Sequence, residues 1–210
     1  MDKFLIKIPR ETSLPVLASP KPQKKELKQA KIESLQRVVV VEDILRMKAV
    51  LELENQTEEN LLKALQELRQ KTPSREILSS TKIGHTLNTI RKHSSKEVAA
   101  LAKDIRNDWK KFIKDRSDKG IIEVRSDAKT EKQRSAGKRL LAGVLEVAED
   151  SKLVENIERE VYHRNKRILN NNYRRTMRTL IFAVKHKNDI RTKVQNGHLS
   201  IQEFIDMHKR

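Results

Sequence analysis

The stretch Ser94-Ser-Lys-Glu-Val-Ala-Ala-Leu-Ala-Lys-Asp-Ile-Arg-Asn-Asp-Trp-Lys-Lys-Phe112 decides the fold class. Ser94 and Glu97 stand three residues apart, the spacing of a capping box, in which hydroxyl and carboxylate satisfy the free N–H groups of a helix start. Behind them Val98, Leu101, Ala102, Ile105, Trp109 and Phe112 recur at steps that place them on one side of an α-helix. The stretch is an amphipathic helix to its end.

The same signals repeat towards the N-terminus. Thr57 caps a helix whose first turn carries Glu58 and Glu59, suited to the positive end of the dipole. Leu61, Leu62, Leu65 and Leu68 form its buried stripe, Arg69 and Lys71 suit its C-terminus, and Pro73 stops it. Ser74 caps a short helix with Ile77 and Leu78, and Ile83, Leu87 and Ile90 stripe the next. Further back, Ile44, Met47 and Leu51 share one helical face, and Ile32, Leu35 and Val39 another. The run Val38–Val41 is β-branched but lies between helical patterns, and it reads as a buried helix or helix junction. Short striped helices joined by short turns predict one bundle over residues 31–114. Residues 1–30 hold four of the five prolines and few large apolar side chains after Leu17, which predicts a disordered tail. Its Lys21, Lys24, Lys25 and Lys28 have the composition of a nuclear import signal.

Towards the C-terminus, residues 115–130 lack sustained periodicity, contain Gly120 and read as a linker. A second helical block is expected over 131–210. Leu140, Leu141, Val144 and Leu145 stripe its first helix; Leu153, Ile157, Val161 and Ile168 its second; Tyr173, Met177, Leu180 and Val184 its third. Ile190 and Val194 belong to a shorter helix ended by Gly197, a residue suited to a left-handed cap. Ser200 and Glu203 form another capping box, ahead of Ile201, Phe204 and Ile205. The expected fold class is all-α, with two bundles behind the tail.

The composition bears on function mainly by exclusion. There is no cysteine, so disulfides and thiolate metal sites are out. No apolar run approaches the roughly 20 residues of a membrane span, and the first residues lack the apolar core of a signal peptide, so an intracellular, soluble, membrane-free and monomeric protein is expected. The six histidines (His85, His93, His163, His186, His198 and His208) have no metal-ligand spacing and read as polar surface residues. Gly137 to Gly143 lacks the spacing and the Gly-Lys-Ser/Thr ending of a phosphate loop. No nucleophile, base and orienting group assemble, so neither an enzyme nor a cofactor is expected. The formal charge is +17, and residues 164–193 hold 10 basic groups against the single acid Asp189, a concentration that points to an acidic surface or a phosphate backbone.

Two segments resemble the TFIIS family of RNA polymerase II elongation factors. Arg75-Glu-Ile-Leu-Ser-Ser-Thr-Lys-Ile-Gly-His-Thr-Leu-Asn-Thr-Ile-Arg-Lys-His93, with Leu101-Ala-Lys and Trp109-Lys-Lys, is similar to the N-terminal domain shared by several elongation factors. Ile157-Glu, Tyr173-Arg-Arg, Leu180-Ile-Phe-Ala-Val-Lys, Lys187-Asn-Asp-Ile-Arg191 and Val194-Gln-Asn-Gly197 resemble the central domain, a three-helix bundle that docks on the polymerase. The resemblance implies a nuclear adaptor. Its first bundle would bind disordered motifs of elongation or Mediator-type factors, and its second would bind RNA polymerase II. The zinc ribbon that gives TFIIS its transcript-cleavage role needs four cysteines, so that role is not carried over, and competition with TFIIS for the polymerase is a further reading. The Asn-Pro-x-x-Arg element of the family is altered here to Lys187-Asn-Asp-Ile-Arg191. Within this frame Lys82, Arg91 and Lys92 are the candidates for partner-motif binding. Arg174, Arg178 and Lys185, at i, i+4 and i+11, are the candidates for polymerase binding, with Arg175 beside them and Arg191 on the following turn. Trp109 is expected in the core rather than in contact with a ligand. The alternative is a nonspecific nucleic-acid-binding protein using the 164–193 strip, weakened by the scarcity of aromatic stacking platforms.

Overall fold

Val38–Val40 form a strand, β1, and helix α1 begins at Val41. The structure is a computed structural model and describes residues 37–54, 56–115 and 119–208. The valine run is thus a junction, but between a strand and a helix. The β-branched side chains favour the extended backbone, and β1 pairs in parallel with β2 (Ile122–Val124), Val38 opposite Ile122 and Val40 opposite Val124. Val39 therefore lies in a strand rather than on a helical face, while Ile32, Leu35 and the expected tail over 1–30 fall outside the described residues. The strand β2 lies within the segment read as a linker. The Ser74 hydroxyl donates to its Glu123 carboxylate at 2.6 Å, which ties it to the first bundle.

The first bundle consists of α1 (Val41–Glu52), α2 (Glu58–Arg69), α3 (Arg75–Thr81), α4 (Ile83–Ile90) and α5 (Lys96–Lys114). The caps read at Thr57 and Ser74 are present: their side chains accept from the backbone N–H of Asn60 and Ile77. The cap of α5 is Ser95, one residue later than the capping-box pattern places it. Its Oγ accepts from the Val98 N–H, and its hydroxyl also donates to Glu58 at the start of α2, a second partner that Ser94 is not given. Ile44, Met47, Leu65, Leu68, Ile77, Leu87, Val98, Ile105 and Trp109 share one apolar core.

The second block comprises α6 (Ala128–Leu145), α7 (Lys152–Arg164), α8 (Asn171–His186), α9 (Asn188–Gln195) and α10 (Ile201–Asp206). Tyr173, Met177, Leu180 and Val184 are buried as their spacing predicts, and the Ser200–Glu203 capping box is formed. Gly197 has φ +73°, the left-handed geometry that ends α9. Two expected stripe residues are exposed instead. Leu140 points outward because the buried face of α6 runs through Arg134, Leu141, Ala142 and Leu145. Ile168 lies beyond the end of α7, after Lys166 and Arg167 turn the chain at positive φ and break the period.

All described residues belong to one compact unit. Helix α1 joins the two cores: its apolar side faces the first, and its Glu42, Asp43 and Arg46 are buried on the side that meets α7. Glu42 receives Arg134 and Arg159; Arg46 holds Glu67 and Glu160; Asp43 holds Lys71 and Arg167. Among the described residues no helix is long and apolar enough to cross a membrane.

Candidate partner-binding faces

Two surfaces carry the chemistry of recognition. The first is a groove of about 370 Å³ between α3, α4 and α5, lined by Leu78, Leu87, Trp109 and Ile113, with His85, Arg106 and Lys110 around them. Its wall is rigid. Trp109 is buried in the core, as expected, but its edge also lines the groove, where a ligand contact was not expected; its Nε1 donates to the Lys71 carbonyl at 2.9 Å, fixing α5 against the connection that leaves α2. Buried aromatic bodies with a satisfied polar tip hold their position well.

The three cations expected to read partner motifs are exposed, but they stand beside this groove rather than in it. Lys82 sits at the α3–α4 junction with φ +56°, and Arg91 and Lys92 follow the other end of α4. Arg91 donates to the Asn88 side chain at 3.3 Å. The cations lining the groove are Arg106 and Lys110, which the sequence reading passed over. They flank Trp109 on the side away from Val98, Ala102 and Ile105, and with Ile113 they follow helical spacing, which was the available signal.

The second surface is the outer side of α8. Arg174, Arg175, Arg178 and Lys185 are exposed, and none has a carboxylate partner among the described residues. The Arg178 Nε donates to the Arg174 carbonyl at 3.3 Å, which places these two guanidinium groups on neighbouring turns. Arg191 differs. It is half-buried on α9 and its guanidinium is shared between Glu146 at 2.6 Å and Asn188 at 3.0 Å, so it braces α9 against the end of α6. Arg164 and Arg167 are likewise engaged, the first by Glu160 and Asp206, the second by Asp43. The basic strip of the sequence is thus unequal in space. Most of its charge without a carboxylate partner among the described residues gathers on α8.

Residues 63–113, which run from α2 through α5 and include the groove, match the family model "Med26: TFIIS helical bundle-like domain". The chain is 32% identical over 76 residues to the probable mediator of RNA polymerase II transcription subunit 26a of Arabidopsis thaliana, a stretch covering 36% of this chain and 13% of that protein. It is 38% identical over 77 residues to subunit 26b of the same plant, covering 36% and 17%. It is also 38% identical over 95 residues to transcription elongation factor A protein 3 of Mus musculus, covering 43% and 27%. The chain therefore spans about a quarter or less of the curated relatives it matches. No solved structure matches.

Proposed function

We propose that this chain is a nuclear, elongation-associated adaptor that joins two kinds of partner in transcription and catalyses no reaction, transcript cleavage included. The observation that carries this reading is the groove of the TFIIS-like bundle. A short disordered motif with one or two large apolar residues fits the Leu78, Leu87, Trp109 and Ile113 floor, and acidic residues beside them meet Arg106 and Lys110. Such motifs would come from elongation or Mediator-type factors, the classes named among the relatives. The second block, by its resemblance to the TFIIS central domain, would dock on RNA polymerase II through Arg174, Arg175, Arg178 and Lys185. Lys82, Arg91 and Lys92 then steer acidic motifs towards the groove from either end of α4, affecting association rate more than the final contacts.

The test is proximity labelling in nuclei with the full chain and with Arg106→Glu/Lys110→Glu. Recovery of polymerase and of Mediator or elongation subunits is expected with the first. The Mediator and elongation subunits should be lost with the second while polymerase is kept. Recovery of neither class with the unaltered chain would overturn the adaptor reading.

A further inference from the structure

Phe182 is the most exposed large apolar side chain described, at 64%. In helical projection, at about 100° per residue, it falls between Arg175 and Arg178, opposite the Tyr173, Met177, Leu180 and Val184 stripe. Lys185 lies one turn beyond it. The ring is not loose. His186 packs on it with ring centroids 4.2 Å apart, the pairing expected of residues four apart on a helix. An aromatic ring thus stands within an arc of cations that have no carboxylate partner among the described residues.

We propose that this face of α8 is a docking surface for an acidic segment of a partner protein, with an apolar side chain of that segment seated on Phe182 and its carboxylates meeting Arg175, Arg178 and Lys185. The inference deepens the docking role given to α8 above and rests on it, but it does not require the partner to be the polymerase. Charge complementarity selects an acidic occupant, since Arg174, Arg175, Arg178 and Lys185 are exposed here with no carboxylate partner among the described residues. The ring selects a protein rather than a phosphate backbone. Duplex binding depends on the number of cations and gains nothing from an apolar ring between them, and one isolated ring makes no stacking platform for a single strand. Arginines beside an aromatic centre have the composition of a protein interface, where both are enriched. The His186 contact limits the freedom that Phe182 would lose on binding.

The test is selection of a phage-displayed library of short random peptides on the immobilised full chain. The recovered peptides are then titrated at physiological salt against the unaltered chain, Phe182→Ser, Arg175→Glu/Arg178→Glu, and Arg106→Glu/Lys110→Glu. Peptides rich in Asp and Glu with a large apolar residue are expected. They should lose about tenfold or more in affinity with Phe182→Ser, as at an interface hot spot, and similarly with the α8 charge reversal, but not with the groove variant. Unfolding midpoints should be unchanged in Phe182→Ser, because the side chain is outside both cores. Acidic peptides that need Arg175 and Arg178 but ignore Phe182→Ser would overturn the anchor while leaving α8 a docking face. Recovery of groove binders alone, or of no acidic peptides, would overturn the surface itself. A duplex DNA affinity exceeding that of every peptide, and reduced by Phe182→Ser, would assign the face to nucleic acid.

Discussion

Arg134 and Glu158 meet in a two-point ion pair, Nε to Oε1 at 2.8 Å and Nη2 to Oε2 at 2.6 Å, with both residues fully buried. Glu42 of α1 adds a second carboxylate at 2.9 Å, Glu131 a third, and the guanidinium lies 4.2 Å from the centre of the Tyr162 ring. The Tyr173 hydroxyl donates to Glu158 as well. Burial works against charge on Arg134, but the bonds to Glu158 and then Glu42 outweigh it and raise its pKa. Burial and the Glu158 charge together raise that of Tyr173. The cluster joins α1, α6, α7 and α8, and adds to the Arg46–Glu160, Arg159–Glu42 and Arg167–Asp43 pairs that tie α1 to the second block.

Arg134→Met should therefore be among the most damaging single changes in the chain. It leaves the Glu158 carboxylate buried without its ion-pair partner and Glu42 with Arg159 alone, and breaking a buried pair from one side costs about 3–5 kcal/mol. Replacing Arg134 and Glu158 together, by Met and Leu, should recover much of that loss, because no uncompensated charge then remains on α7. Urea midpoints of the two variants decide it: equal losses would show that the pair does not account for the stability.

Acid should lower the stability of the protein in two stages. His163 is held below its ordinary value of 6.5, first by burial and then by the Arg46 charge; Glu160, Asp43 and Arg167 also face it, the two carboxylates opposing the shift. Glu160 is held below its ordinary 4.5, because Arg164 and Arg46 outweigh the opposing effect of burial. For both groups the folded pKa lies under the unfolded one, so the unfolded chain takes up protons first as pH falls. Their contribution is complete above the ordinary value and is lost on the way down to the folded one. Stability is expected to start falling below pH 6.5 and to fall again below 4.5. His163→Gln should flatten the first stage alone, as read by unfolding midpoints across pH.

Trp109→Ala should cost about 3–5 kcal/mol, the range for removing a large buried aromatic ring. Two effects combine: the cavity left in the first core, and the Lys71 carbonyl deprived of its donor. Trp109→Phe refills most of the space and should recover the larger share. A thermal midpoint unmoved by Trp109→Ala would mean the ring carries no packing load.

The helices were legible in the sequence because caps and apolar stripes are local. Thr57, Ser74 and the Ser200–Glu203 box mark helix starts through their own chemistry, and Tyr173 to Val184 carry a single period. The burial of Glu42, Asp43 and Arg46 was not legible. Charges on a helix face read as solvated until a second set of charges meets them, and their partners on α6 and α7 lie about 90 to 120 residues away. Contacts made only in the fold also hide which cations of the basic strip lack a carboxylate. Arg164, Arg167 and Arg191 look in the sequence like Arg174 and Arg178, yet carboxylates from α1, α6, α7 and α10 engage them. Arg106 and Lys110 escaped notice for a different reason: the groove they line exists only once α3 and α4 are laid beside α5.

That inequality sets the comparison between polymerase docking and nonspecific phosphate binding. Reversing Arg164 and Arg167 tests nothing about binding, since it breaks the ion pairs to Glu160, Asp206 and Asp43 and weakens the fold. Lys166 and Lys187 are the suitable control, being exposed members of the same strip with no carboxylate partner among the described residues. Arg174→Glu/Arg178→Glu and Lys166→Glu/Lys187→Glu should each leave stability within about 0.5 kcal/mol per site, as exposed changes do. Docking needs a fixed match of charges, so the first pair should abolish capture of purified RNA polymerase II and the second should reduce it little. Phosphate binding follows the number of cations, with a salt slope of about 0.9 per phosphate neutralised, so on duplex DNA both pairs should weaken binding alike. Equal losses on polymerase over the same salt series, with DNA bound as tightly at physiological salt, would remove the case for docking and leave a nonspecific nucleic-acid-binding protein.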